Sequence, residues 1–157
     1  MSMVGRRCTS ALVVAVVLGF MTGPLILGAL DSATATLETE FQQSQIHGPI
    51  TITSNAEFAA QAASEIWPGS GQLFDPYIIS DLTIITDYTC IIIRDVTVYF
   101  EIRDCYLESV WGGDRYGISI ENSEHGTVEG CTIRRAGRGI NVELSSGIEV
   151  LNNDVAG

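Results

Sequence analysis

Apolar and polar positions alternate in short runs along most of the chain, and the runs recur. Residues 117–138 (GISIENSEHGTVEGCTIRRAGR) laid over 139–157 (GINVELSSGIEVLNNDVAG) at an offset of 22 match Gly117 with Gly139, Ile118 with Ile140, Ile120 with Val142, Ser123 with Ser145, Val128 with Val150 and Ile133 with Val155. A period of about 20–25 residues built from two-residue alternation is the signature of a β-solenoid.

The overlay extends towards the N-terminus. Asp104-Cys105-Tyr106-Leu107 falls on Gly130-Cys131-Thr132-Ile133, Asp81-Leu82-Thr83-Ile84 falls on both, and Cys90-Ile91-Ile92-Ile93 falls on Gly117-Ile118-Ser119-Ile120. Coil lengths of 22–27 residues follow, giving three to four coils over 75–157, the longest carrying an insertion at 109–116 (SVWGGDRY). Alternation then sorts the faces. Ile91 and Ile93, Ile118 and Ile120, and Ile140 and Val142 point inward and stack one coil apart. Cys105 and Cys131 share one inward position, with Asn153 next, and serve as small core residues; parallel stacking gives poor geometry for a disulfide between them. Outward, Arg94, Glu121 and Glu143 form one column, and Arg103 lies beside Glu129.

The segment before the coils reads differently. Pro49-Ile50-Thr51-Ile52-Thr53 predicts a short strand, and Ser54-Asn55-Ala56-Glu57 is a capping box opening a helix. Phe58, Ala62 and Ile66 share one helical face, and Trp67-Pro68-Gly69 ends the run. Such a helix, within a segment 49–74, is expected to cover the open N-terminal end of the solenoid. Residues 36–48 read as a flexible polar leader. Residues 1–35 have the layout of a signal peptide: Arg6 and Arg7, an apolar run over 11–20, and Ala33-Thr34-Ala35 as a small-residue cleavage site. The uncharged stretch 11–30 is also long enough to act as an uncleaved anchor. Either way the folded part is expected to be exported, extracellular or at the cell surface.

Charge narrows the partners. From Thr36 onward 18 acidic residues face 6 arginines, and the chain has no lysine. Such a surface repels nucleic acid and anionic membranes, so membrane contact is expected only through the N-terminal stretch. Three cysteines after residue 35 do not spell a disulfide framework, and with only His47 and His125 no zinc-type spacing arises. No cofactor or metal is expected.

Residues 50–58 (ITITSNAEF) and 67–84 (WPGSGQLFDPYIISDLTI), followed by I-x-I, N-S and C-x-I patterns, resemble the exported right-handed parallel β-helix proteins of the NosD-type, carbohydrate-binding and sugar-hydrolase superfamily. The resemblance implies an all-β solenoid, a right-handed parallel β-helix. It also implies a choice of activities: polysaccharide lyases and hydrolases, glycan-binding surface proteins, and the periplasmic partner of nitrous-oxide-reductase maturation. The chain departs from the lyases in lacking lysine, and from a copper handler in carrying its methionines only at 1, 3 and 21. No polar capping element follows the last coil, so the expectation is an N-terminal part of a longer protein, or else end-to-end self-association.

The most chemical local feature is the insertion. Protruding loops make the groove of a solenoid wall, aromatic rings stack on sugar faces, and Asp and Arg bind hydroxyls and carboxylates. Trp111, Asp114, Arg115 and Tyr116 are therefore the candidate glycan subsite. No catalytic residue is assigned: Asp81 with Asp104, and Glu108 with Asp114, are carboxylate pairs of the kind glycosidases use, but a solenoid this acidic yields them by chance and turn acids bond their own backbone. Trp67-Pro68-Gly69-Ser70-Gly71 lacks the lysine of a phosphate loop, and His125 reads as a surface residue. The expected function is a structural or carbohydrate-binding module, non-catalytic in this segment. The alternatives are the N-terminal part of a polysaccharide lyase or glycoside hydrolase, and a NosD-type metal-delivery protein.

Overall fold

A computed structural model describes residues 44–111 and 113–157; the expected signal peptide or anchor lies outside them, as does the leader up to residue 43. The chain opens with β1 (Gln45–Ile46), β2 (Ile50–Ile52) and helix α1 (Asn55–Glu65). Three complete coils follow: β3 (Tyr77–Ser80), β4 (Leu82–Thr86) and β5 (Ile91–Arg94); β6 (Phe100–Arg103), β7 (Tyr106–Ser109) and β8 (Tyr116–Glu121); β9 (Glu124–Glu129), β10 (Thr132–Arg134) and β11 (Arg138–Glu143). A partial coil, β12 (Ser146–Leu151) and β13 (Asp154–Ala156), ends the chain. Every third strand pairs in parallel, making three sheets ordered β1-β4-β7-β10-β13, β2-β5-β8-β11 and β3-β6-β9-β12. The fold is the expected parallel solenoid.

The registers match the overlay residue for residue. Ile91 pairs with Ile118 and Ile118 with Ile140; Thr83 pairs with Tyr106 and Tyr106 with Thr132. Inward columns such as Ile52, Ile93 and Ile120 are fully buried. Where one rung is oversized the next is undersized: a Cβ at Gly126 would stand 2.3 Å from the Phe100 ring, so glycine there admits the ring. Cys90, Cys105 and Cys131 are free, buried thiols. Asn153 ends the Cys105–Cys131 column and turns polar use to account, accepting from Cys131 N–H at 2.8 Å and donating to Val128 O at 2.9 Å.

Corners are set by backbone conformation. Asp81, Asp104, Gly130 and Asn152 occupy equivalent turns with φ between 52° and 64°, and Asp95, Asn122 and Leu144 form a second left-handed column. Asp, Asn and Gly are the residues that tolerate this region. Asp81 and Asp104 are therefore turn formers.

Three expectations need correction. The leader is structured at its end: Gln45–Ile46 pairs with Leu82–Thr83, and His47 N–H donates to Thr83 O at 2.9 Å; two residues are too few for alternation to show. Ile66 does not join the buried helical face. It sits in the left-handed region (φ 60°) as the C-cap and is exposed, and Trp67 turns back to Phe58 edge-on, ring centroids 6.4 Å apart. Arg103 and Glu129 are registered as expected, but the Glu129 carboxylate accepts from Asn152 Nδ2 at 3.2 Å. The Arg94–Glu121 column does form an ion pair, at 2.8 Å.

Helix α1 is inserted between β2 and β3, a corner that the later coils cross in five residues or fewer, and it buries Phe58 and Ala62. Phe58 stacks on Tyr77 at 5.0 Å and meets Phe100 at 5.7 Å. The capping box forms with one shift: Glu57 N–H donates to Ser54 Oγ, while the Glu57 carboxylate accepts from Thr53 N–H and Oγ–H, both at 2.7 Å. Those bonds hold its carboxyl below the ordinary value. Asn55 pins the helix to the second coil, its Oδ1 accepting from Thr97 N–H at 2.8 Å.

Candidate functional site

The insertion is a corner that outgrew its neighbours. Six residues, 110–115, join β7 to β8, against four (87–90) in the coil before and three (135–137) in the coil after. The strands on either side must stay in register, so the surplus is pushed outward. Its ends are tied to both neighbours: Val110 N–H donates to Thr86 O, and Arg138 N–H to Arg115 O, each at 3.0 Å. Gly137 lets the loop lie close, since a Cβ there would fall 1.5 Å from Gly113 O. Gly113 itself has φ 68°.

On this ledge the four candidate residues separate into distinct partnerships. Trp111 projects its indole, the residue being 78% exposed. Arg115 does not turn to Asp114. Its guanidinium carbon lies 5.7 Å from the Tyr88 ring centroid, on the preceding corner, within cation–π range. Asp114 and Tyr116 instead converge on Arg138 of the following corner, which donates to Tyr116 Oη at 2.9 Å and approaches Asp114 Oδ1 at 3.4 Å. Tyr88 and Arg138 were missed, although the register pointed to both: Arg138 pairs with Tyr116, and Tyr88 precedes Thr89, whose Oγ1 accepts from Tyr116 N–H at 3.2 Å. The same overlay that aligned the inward columns also aligns these outward side chains.

Four of the six arginines after residue 35 surround this corner: Arg115, Arg134, Arg135 and Arg138. Arg134 pairs with Asp154, which holds that carboxyl below its ordinary range. Arg135 reaches Glu108 at 3.2 Å, and Glu108 also accepts from Tyr106 Oη at 2.8 Å, which raises the Tyr106 phenol above its ordinary value. Arg115 has no carboxylate partner among the described residues. The ledge thus offers a flat indole, two tyrosine–arginine pairs and one guanidinium free of acid, chemistry suited to the faces, hydroxyls and carboxylates of an extended polar ligand. The carboxylates suggested for bond cleavage are otherwise engaged, Glu108 with Tyr106 and Arg135, and Asp114 with Arg138.

Among the described residues no group of three or more His, Cys, Asp or Glu side chains is placed to hold a metal ion, and no helix is long and apolar enough to cross a membrane.

Three parallel sheets wound by successive corners define a parallel β-helix, and the comparisons agree. Residues 65–157 match the family described as the right-handed β-helix region, and the chain belongs to that family. No curated protein and no solved structure matches it.

Proposed function

We propose that this chain is an exported β-helix module that binds carbohydrate along the corner ledge without cleaving it. The observation that carries the reading is the exposed Trp111 indole on an outgrown corner whose neighbours supply Tyr88–Arg115 and Tyr116–Arg138. An indole offers a flat apolar face to a sugar ring, and guanidinium forks match carboxylates. On a chain of net charge −11, the Arg115 guanidinium, which has no carboxylate partner among the described residues, favours a glycan bearing uronate groups. Export is supported by the layout of residues 1–35, and the absence of cleavage by the engagement of Glu108 with Tyr106 and Arg135.

Retention in gels containing polygalacturonate, alginate or a neutral glucan tests the reading. Retention on a polyuronate is expected, falling several-fold on Trp111→Ala and on Arg115→Gln, with no release of reducing or unsaturated ends. Retention on none of them, or retention indifferent to both substitutions, would overturn it.

A further inference from the structure

A cavity of about 190 Å³ opens at the N-terminal end of the solenoid, between the tail of α1 and strands β1, β3 and β4. An apolar cavity of about 150 Å³ takes benzene, so this one has room for a single six-membered ring. Trp67 and His47 supply two aromatic walls, ring centroids 6.5 Å apart and inclined at 48°. Glu65 supplies a carboxylate.

The hydrogen bonding of His47 sets what the cavity asks for. A carbonyl oxygen can only accept, so the 2.7 Å contact of His47 Nδ1 with Gly48 O makes Nδ1 the donor. In the neutral ring, Nε2 is then an acceptor, and it faces Glu65 Oε1 at 3.5 Å. Two acceptors stand opposite each other, further apart than the roughly 2.7–2.9 Å of a charge-assisted hydrogen bond. A hydrogen-bond donor placed between them would satisfy both. The surroundings also favour a cation. Glu65 is the last residue of α1, the negative end of the helix dipole; the last turn of α1 has no basic residue, and no Lys or Arg lines the cavity among the described residues.

We propose that this cavity is a binding site for a compact organic ammonium ion, its N–H groups bridging Glu65 and His47 Nε2 and its body lying against Trp67. A proton on Nε2 occupies the same gap, so proton and ammonium compete. Among the described residues no other titratable group lines the cavity: α1 contributes Glu65, and Gln45, Ile78, Ser80 and Leu82 from β1, β3 and β4 do not titrate. The inference is independent of the glycan ledge.

The test uses the full chain with His125→Gln, which leaves His47 as its only imidazole. Cyclohexylammonium and glucosamine are titrated against the His47 Cε1–H resonance, with cyclohexanol and glucose as uncharged counterparts. Saturable shifts are expected with the amines alone. Glu65→Gln weakens them roughly tenfold. Tighter binding of glucosamine would mark an amino sugar as the source of the ammonium, and tighter binding of cyclohexylammonium an apolar amine. Equal binding of the uncharged counterparts, no saturable shift with either amine, or indifference to Glu65→Gln would overturn the proposal.

Discussion

Alanine at position 137 should break the packing of the ledge against the corner that follows it. A Cβ there would stand 1.5 Å from Gly113 O and 2.6 Å from its carbonyl carbon. Even attractive carbon–oxygen contacts settle near about 3.3–3.6 Å, so the loop must retreat by roughly 2 Å. Its two ties are Val110 N–H to Thr86 O and Arg138 N–H to Arg115 O. The second lies beside the substitution and is the one expected to give, at about 1 kcal/mol. Residual overpacking adds about 1–3 kcal/mol, so a total of about 2–4 kcal/mol is expected, or roughly 1–2 M off a urea midpoint. The informative comparison is the same substitution in a chain lacking residues 111–113, whose corner then matches the three-residue corner after it. Without the Gly113 carbonyl, Gly137→Ala should cost less than about 0.5 kcal/mol, and the difference between backgrounds is the coupling of loop to corner. Urea unfolding followed by circular dichroism measures all four proteins. An equal loss in both backgrounds, or none in the full-length loop, would refute the argument that Gly137 is glycine because the ledge lies on it.

The inward columns predict a gradient of sensitivity: Ile120→Ala, fully buried, should cost about 2–5 kcal/mol, while Val142→Ala one rung on, 42% exposed, should cost much less, and equal losses on chemical denaturation would contradict the stacking. Glu57 should make the helix cap acid-sensitive. Its carboxyl is lowered by the Thr53 hydrogen bonds, so its contribution is present above the ordinary glutamate value of 4.5 and is lost as pH falls through the lower folded value; Glu57→Gln should flatten that part of the stability–pH curve, and an unchanged curve would remove the cap from the account. Burial pushes the Cys90 thiol up to about 11, and Cys105, hydrogen-bonded to Cys131 and buried, is raised as well. The Cys105 hydrogen bond shifts the Cys131 thiol down instead, but all three are buried and should resist iodoacetamide at pH 8 until the chain is unfolded, read residue by residue by peptide mass because the sequence holds a fourth cysteine, Cys8; rapid native alkylation of any of the three would contradict a closed core.

The inward columns were legible because every coil must repeat them. A one-residue slip in any strand would turn its apolar set outward, so Ile91, Ile118 and Ile140 carry the same instruction three times and the overlay reads it directly. The capping box was legible for the opposite reason, being local. What escaped was neither repeated nor local: a two-residue strand at Gln45–Ile46, the left-handed twist that takes Ile66 off the helix face, and the choice of Asn152 over Arg103 as the partner of Glu129. These depend on side-chain reach and on one or two backbone angles, which alternation does not encode.

The ledge falls between the two cases. Strands in a solenoid cannot lengthen without dislocating every rung, whereas a corner can gain residues provided the next strand resumes its register. The offset between neighbouring rungs rises from 23 at Thr83–Tyr106 to 27 at Ile91–Ile118 and falls from 26 at Tyr106–Thr132 to 22 at Ile118–Ile140. Both steps bracket the same corner, so surplus chain accumulates where the fold tolerates it. The insertion residues Trp111, Asp114, Arg115 and Tyr116 were therefore visible as an interruption of period. Their partners Tyr88 and Arg138 were not, because they belong to ordinary corners and acquire a role only by standing one rung away. In a molecule built by repetition, a site is assembled across coils, and the residues completing it are found by carrying the rung offset outward from the residue that breaks the pattern.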